Sequence, residues 1–373
     1  MGSPGDGLLL VGVLATPVRA IGAFGPPVTI DDPTCVFDDF NVDQAQDASG
    51  VTHGFSDLWG SGCNERFAIR YFQGPGTSWA VETTPFRGLV VAVAWDTTGT
   101  YLLYIDPALR LRISKRQADG TYIQAGCCRP PWGPTAPSPR ATWSRPAAGG
   151  GATWREHVRP GGGPGDEFHQ TELFQASTIG GTYSPRERVT SNPAWDSAPS
   201  LALTPATTFP VRLMWARGGS DFEAADADLR RALGDEDGDW VSASLATAGS
   251  QNFWPDVQVV GRTTYVTWNR DGRTVQADNA SGTFLSHTFV TPAAQNHRPR
   301  IAVAAGQVVV GWTTQAPFRA FVAERAGTTW SGKVASPAGV TRLQLLTGVS
   351  ARGGTAGVSI LSLGSRLYAA TET

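Results

Sequence analysis

Lysine is almost missing from these 373 residues. Lys115 and Lys333 are the whole complement, and arginine carries the rest of the 30 basic charges. Against 32 acids the formal net charge is −2, which leaves no basic footprint for nucleic acid or for an anionic membrane surface. Trp interleaved with Arg suits single-stranded nucleic acid, but that neutral balance opposes it. Charged residues make up only 17% of the chain, and Met (2), Cys (4) and His (5) are scarce. No zinc pattern exists: Cys127-Cys128 lacks ligand spacing and no paired His occurs. There is no Gly-x-Ser-x-Gly elbow, no Walker loop and no dinucleotide fingerprint, which removes the common hydrolase, nucleotidase and dehydrogenase classes. No apolar run is long enough to cross a bilayer.

What is present is turn chemistry. The chain has 44 Gly and 26 Pro, with 41% hydrophobic residues to build a core, so many short strands are expected rather than long helices. Near the start, Leu8–Ala15 is a short apolar run followed by Pro17 and small-residue sites at Val18-Arg19-Ala20 and Ile21-Gly22-Ala23. That pattern predicts a secretory signal over residues 1–23, cleaved after Ala20 or Ala23, although Met1–Gly7 carries no basic residue.

Three landmarks recur in phase. A hairpin turn between a buried strand and a second apolar strand appears at Ser49-Gly50, Thr98-Gly99, Gly149-Gly150-Gly151, Pro205-Ala206, Gly261, Gly306 and Gly353-Gly354. The spacings, roughly 45 to 56 residues, are those of propeller blades. Each turn but the last is followed by Gly, one or two small or polar residues and an aromatic, as in Gly76-Thr77-Ser78-Trp79, Gly120-Thr121-Tyr122 and Gly327-Thr328-Thr329-Trp330. A Pro opens the inner strand at Pro139, Pro199, Pro255 and Pro299; Asp196, Asn252 and Asn296 precede the last three by three residues. The seventh repeat stops after Ser365–Thr371 and lacks its outer strand, so the segment Phe24–Asp31 is expected to pair there and close the ring. The expected fold is all-β: one seven-bladed β-propeller over residues 24–373 with four-stranded antiparallel blades.

These residues resemble the sialidase-like, or Asp-box (BNR), β-propeller superfamily, whose box reads Ser-x-Asp-x-Gly-x-Thr-Trp. Here Ala323-Glu324-Arg325-Ala326-Gly327-Thr328-Thr329-Trp330 keeps the second half of the box and loses the Ser and Asp. Arg300-Ile301 resembles the family's Arg-Ile-Pro element without its Pro. The catalytic Arg triad, Tyr nucleophile and acidic partner of the family have no residue-by-residue counterpart.

In a four-stranded blade the loops joining strands two and three share a face with the blade-to-blade connections. That face collects Trp59, Arg129, Trp132, Trp195, Asp196, Asn252, Trp254, Arg270 and Asn296 as ligand-binding candidates. Aromatic platforms beside a few directional polar groups suit a sugar. Trp79, Trp240 and Trp330 fall on the opposite, hairpin face as structural residues, and His53 is read as packing. His297 and Arg298 are the catalytic candidates. Seven-bladed lyases of the superfamily imply a His general base at this face, with Arg298 holding a uronate carboxylate.

Of the cysteines, Cys35 and Cys63 fall in loops on one face of the first blade and are expected to bridge, leaving Cys127 and Cys128 as a vicinal pair. The alternating carboxylates Asp235, Asp237 and Asp239 offer a structural calcium loop with its Gly out of register; no cofactor is expected. The resulting expectation is a secreted, monomeric, lectin-like module. The alternatives are a polysaccharide-active enzyme, either a lyase or a sialidase-like glycosidase, and an extracellular protein-interaction scaffold. A glycosidase needs two carboxyl groups about 5–9.5 Å apart, which Asp57, Asp166, Glu167, Asp196 and Asp271 would have to supply.

Overall fold

The structure is a computed structural model. It describes residues 24–371 except 32–41, 59–66, 129–150, 158–170, 178–186, 204–210, 219–226, 235–239, 336–343 and some shorter turns. Every regular element among the described residues is a strand, and no helix is long and apolar enough to cross a membrane.

β1 (Val28–Asp31) is followed by β2 (Val42–Gln46), β3 (Thr52–Leu58), β4 (Ala68–Gly74) and β5 (Ala80–Arg87), the last four forming one antiparallel sheet in that order. The next sheet holds β6 (Leu89–Asp96), β7 (Gly99–Ile105), β8 (Leu111–Gln117) and β9 (Tyr122–Cys128). Then come β10 (Gly151–His157), β11 (Thr171–Ser177), β12 (Glu187–Arg188), β13 (Trp195–Leu203), β14 (Val211–Gly218), β15 (Asp228–Gly234) and β16 (Trp240–Ala246), joined as one seven-stranded sheet. β17 (Asn252–Val260), β18 (Thr263–Arg270), β19 (Arg273–Asp278) and β20 (Thr288–Phe289) make a further sheet. In the one after it, β21 (Asn296–Ala304), β22 (Gln307–Thr314) and β23 (Arg319–Ala326) carry the short β24 (Thr329–Trp330) and β25 (Val334–Ala335) on β23. Last are β26 (Gln344–Arg352), β27 (Thr355–Ser362) and β28 (Arg366–Thr371).

β28 takes β1 as its outer neighbour, with Val28 opposite Ala369 and Thr29 opposite Tyr368, so the start of the described chain completes the last sheet as expected. The blade count differs from expectation. Five sheets stand as separate blades, not seven. Residues 151–246 run together because Thr171 of β11 pairs in parallel with Trp195 of β13.

The burial of each strand follows its place in the sheet. β22 (QVVVGWTT) is second in its sheet and buried on both faces, whereas β5 (AVETTPFR) is an outer strand and mostly exposed. Apolar residues gather between neighbouring sheets. Phe55, Ile69 and Tyr71 pack on Val90, Val93 and Leu102; Met214 and Leu229 pack on Val257, Val266 and Trp268. Ala302, Val309 and Val322 meet Val349 and Ala351, and Leu367, Ala369 and Ile30 meet Phe72 of the first sheet. That last contact closes the circle, so each sheet, too small to bury both faces alone, is covered by its neighbours.

Several expected features lie outside the described residues: residues 1–23, Cys35, Cys63, Trp59, Arg129, Trp132, and Asp235, Asp237 and Asp239. Cys127 and Cys128 end β9 opposite Arg112 and Leu111.

Candidate binding face at the start of the inner strands

β17 and β21 each begin a sheet and β13 follows β11 in the seven-stranded one, and all three open on the same irregularity. The pairing register shifts between Ser197 and Ser200, between Phe253 and Asp256, and between His297 and Arg300. Within each shift one residue takes a left-handed backbone: Ala198 (φ 47°), Trp254 (φ 50°) and Arg298 (φ 46°). Each stands immediately before Pro199, Pro255 or Pro299. Pro lacks the N–H that the ladder would use and is tolerated at bulges, which fits its recurrence here.

The Asx residue opening each bulge is a fixture of the interior. Asp196 is fully buried; its Oδ1 accepts Trp215 Nε1 at 2.7 Å and Arg217 Nε at 2.9 Å, and its Oδ2 accepts Asn192 Nδ2 at 2.7 Å. Asn252 is also fully buried, with Oδ1 accepting Trp268 Nε1 at 3.0 Å and Nδ2 donating to Ala227 O at 2.7 Å. Asn296 is 1% exposed and sits opposite the same strand as the buried Trp312. A buried indole N–H needs an acceptor, and Asp196 and Asn252 supply it to Trp215 and Trp268. Asp196, Asn252 and Asn296, expected at the ligand, are all buried.

The residue two positions on behaves differently. Trp254 is half-buried beside Phe253, ring centroids 5.9 Å apart. Arg298 is exposed to solvent yet hemmed in by protein, and burial together with the neighbouring Arg300 holds its pKa below the usual guanidinium range. Among the described residues it makes no hydrogen bond or ion pair. A bulky residue at positive φ is an outlier, and bulges beside functional sites re-aim side chains. Here the bulges put Trp254 and Arg298 at corresponding positions on adjacent inner strands tied by Asp256 Oδ2 accepting Ile301 N at 2.9 Å.

Arg270 lies on the same face, at the turn between β18 and β19, with Nε and Nη2 3.3 Å from Ser250 Oγ. The turn is fastened to the strand starts: Asp271 Oδ1 accepts Gln251 N at 2.8 Å, and Asn296 N donates to Gly272 O at 3.1 Å. Trp195 and His297 occupy their strands, His297 opposite Thr313. The remaining aromatic candidates, Trp59 and Trp132, lie outside the described residues.

A second cluster of titratable groups sits at the other end of the first two sheets. His53 Nε2 is 3.2 Å from Asp47 Oδ2, and its Nδ1 is 2.5 Å from Tyr71 Oη. Arg116 lies over the Tyr71 ring and donates from Nε to Glu82 Oε1 at 2.6 Å, which also accepts Tyr122 Oη at 2.5 Å. A carboxylate–imidazole–phenol chain has the order of a nucleophile relay. Tyr71 is only 1% exposed, however, and burial pushes its pKa up, so no substrate reaches that hydroxyl. The cluster packs two sheets together, in line with the sequence reading of His53.

No protein-family model matches the chain, and no curated protein matches it. The Asp-box resemblance therefore has no family support. At the degenerate box Arg325 stands at the Asp position and donates to Gln276 Oε1 at 2.6 Å and Asp278 Oδ2 at 2.5 Å in the preceding sheet. Among solved structures, a prolyl endopeptidase is 14% identical over 91% of this chain and 47% of its own, with a TM-score of 0.50. The present chain thus spans about half the length of that protein. A polysaccharide lyase, an ulvan lyase, is 14% identical over 79% of this chain and 80% of its own, with a TM-score of 0.52. An exo-β-1,3-galactanase from Phanerochaete chrysosporium reaches a TM-score of 0.39 at 13% identity, over 68% of this chain and 61% of its own, which is too distant to carry an argument. At these identities the likeness is one of fold: an all-β protein with antiparallel sheets in a propeller arrangement.

Proposed function

We propose that the protein is a secreted, lectin-like propeller that binds an acidic glycan at the mouth formed by the inner-strand bulges. One observation carries the reading. Trp254 and Arg298 hold matching left-handed positions on adjacent inner strands, and Arg298 has no described partner for its charge. An indole face stacks on the C–H face of a sugar ring, and a free guanidinium suits a carboxylate or sulfate on that ring. In this reading the seven-stranded sheet counts as two blades joined at one bridge. On that count the whole makes one seven-bladed domain. Apolar clusters between successive units support that count, including Phe174 of β11 packed on Val91 and Leu103.

A glycan array, followed by affinity measurements on the hits, tests the proposal. Trp254→Ala and Arg298→Ala should each weaken binding at least tenfold while the circular dichroism spectrum and melting temperature stay near wild type. Unchanged affinity in both variants, or loss of binding only where the protein unfolds, refutes it.

The second reading is a polysaccharide-active enzyme. It is favoured by the position of His297, which opens the same bulge immediately before Arg298. If His297 is the general base, His297→Ala abolishes product formation and leaves binding intact. Full activity in that variant, or none in the wild type on any uronate-containing polymer, removes this reading.

A further inference from the structure

At three places an inner strand is tied to the next through a side chain that accepts a backbone N–H. Asp43 Oδ2 accepts Val93 N at 2.8 Å, Ser200 Oγ accepts Val257 N at 3.0 Å, and Asp256 Oδ2 accepts Ile301 N at 2.9 Å. Ser200 and Asp256 are the first residues after their register shifts, and Val93, Val257 and Ile301 are each the second after theirs. The physical need is plain. The inner strand has a ladder partner on one side only, so alternate N–H groups point to the axis side and require an acceptor when buried.

The series breaks at the next two places. The shift in β21 puts Arg300 where Ser200 and Asp256 stand, and the shift in β26, between Leu346 and Gly348, puts Gly348 there. Arginine offers donors only, and glycine offers nothing. By the same register Val349, buried and opposite Val358, supplies the N–H that corresponds to Val257 and Ile301. Two donors therefore meet at the seam between β21 and β26.

Arg300 is only loosely compensated. Its ion pair among the described residues, from Nη2 to Asp43 Oδ1, spans 3.9 Å, well beyond a charge-assisted hydrogen bond, and the other Asp43 oxygen serves Val93. Arg300 Nε is buried with no hydrogen-bond partner among the described residues. Beside the seam Gly348 lets the buried Gln44 side chain pack close, since a Cβ at position 348 would stand 2.4 Å from Gln44 Cδ and Nε2.

We propose that this seam is a binding site for a small oxyanion on the propeller axis, held by the Arg300 guanidinium and the Val349 N–H. It stands on the broken repeat and not on the glycan reading. The oxyanion could be free in solution or be the acid group of a ligand at the mouth; the recognising chemistry is the same.

The test is thermal melting of the full chain at low ionic strength, titrated with sodium sulfate, with sodium chloride at matched ionic strength as control. In the wild type, sulfate at millimolar concentration should raise the melting temperature saturably and more than chloride. Arg300→Ser places a hydroxyl where Ser200 has one. It should abolish the saturable rise and melt, without sulfate, no lower than the wild type. Arg300→Gln provides a second uncharged variant should the serine form fail to fold. Galacturonate against galactose assigns the source: a saturable rise with galacturonate that Arg300→Ser removes identifies an acidic ligand, and a rise with sulfate alone identifies a free anion. Arg298→Ala, which tests the glycan reading, should keep the sulfate response. If Arg300→Ser and Arg300→Gln retain the response, or if the wild type responds to sulfate and chloride alike, the proposal fails.

Discussion

Trp254 at φ 50° and Arg298 at φ 46° hold a backbone that costs a bulky residue roughly 1–3 kcal/mol. Asparagine tolerates this conformation better, and Arg298 is exposed, so Arg298→Asn loses little packing. It is expected to raise stability by about 1 kcal/mol in urea unfolding while glycan affinity falls. A residue serving only the fold would show the reverse, lower stability with binding unchanged. His53 supplies a second prediction. Burial holds its pKa below 6.5, against the pull of Asp47. The unfolded chain therefore binds the proton first, and stability should decline as pH falls below 6.5 toward the depressed folded value. Asp47, held low by hydrogen bonds from Ser49, His53 and Val51 despite its burial, extends the decline below pH 3.8. Melting curves between pH 7.5 and about 4 check this; His53→Gln should flatten the upper part of the decline.

Among the elements, β1 and β17 make the sharpest demands. β1 covers Leu367 and Ala369, both nearly inaccessible, and brings Ile30 against Phe72. A chain beginning at Thr34 would leave the β28 edge bare, so it is expected to melt lower and to aggregate in size-exclusion chromatography. An unchanged melting temperature would show that β1 does not hold the last sheet. In β17, Asp256 is 2% exposed, and one oxygen faces Ser200 Oγ at 3.4 Å while the other accepts Ile301 N. Asp256→Ala strands that N–H and should cost about 1–3 kcal/mol of stability in denaturant unfolding. Gly306 and Gly261, at φ 81° and 61°, turn the inner strands into their neighbours in the two successive sheets that carry Arg298 and Trp254. The glycine signals were visible in the sequence because a left-handed turn is a local requirement.

For the molecule as a whole the formal net charge is −2, so in the proposed reading the attraction for an acidic glycan comes from Arg298 on β21. Interaction with an acidic glycan should therefore weaken severalfold between 0.05 and 0.15 M salt, where the Debye length falls to about 8 Å, while any neutral-sugar binding stays flat. Titration calorimetry at the two salt concentrations distinguishes them. Ring closure also makes each sheet the cover of the next. Damage at one seam, such as that between β28 and β4, should thus lower the melting temperature of the whole molecule rather than loosen one blade.

The sequence by itself determined the strands, most of their turns, the phase of the repeat and the return of the first strand to β28. These depend on short-range rules: alternation of apolar residues, Gly where φ is positive, and Pro where the ladder lacks a donor. It also marked the Asx-x-x-Pro spacing at Asn252–Pro255 and Asn296–Pro299. What that spacing does was decided only by the tertiary structure. Asn252 and Trp254 are two apart, so a regular strand would send both side chains to the same face. The left-handed residue and the register shift break that parity. Asn252 then turns inward to Trp268, while Trp254 stays half-buried and Arg298 exposed. The partners that impose this arrangement, Trp215 and Trp268 on neighbouring strands and Ile301 in the next sheet, are remote from the motif in sequence. No local rule reads a side chain's direction from contacts that form only when the ring closes.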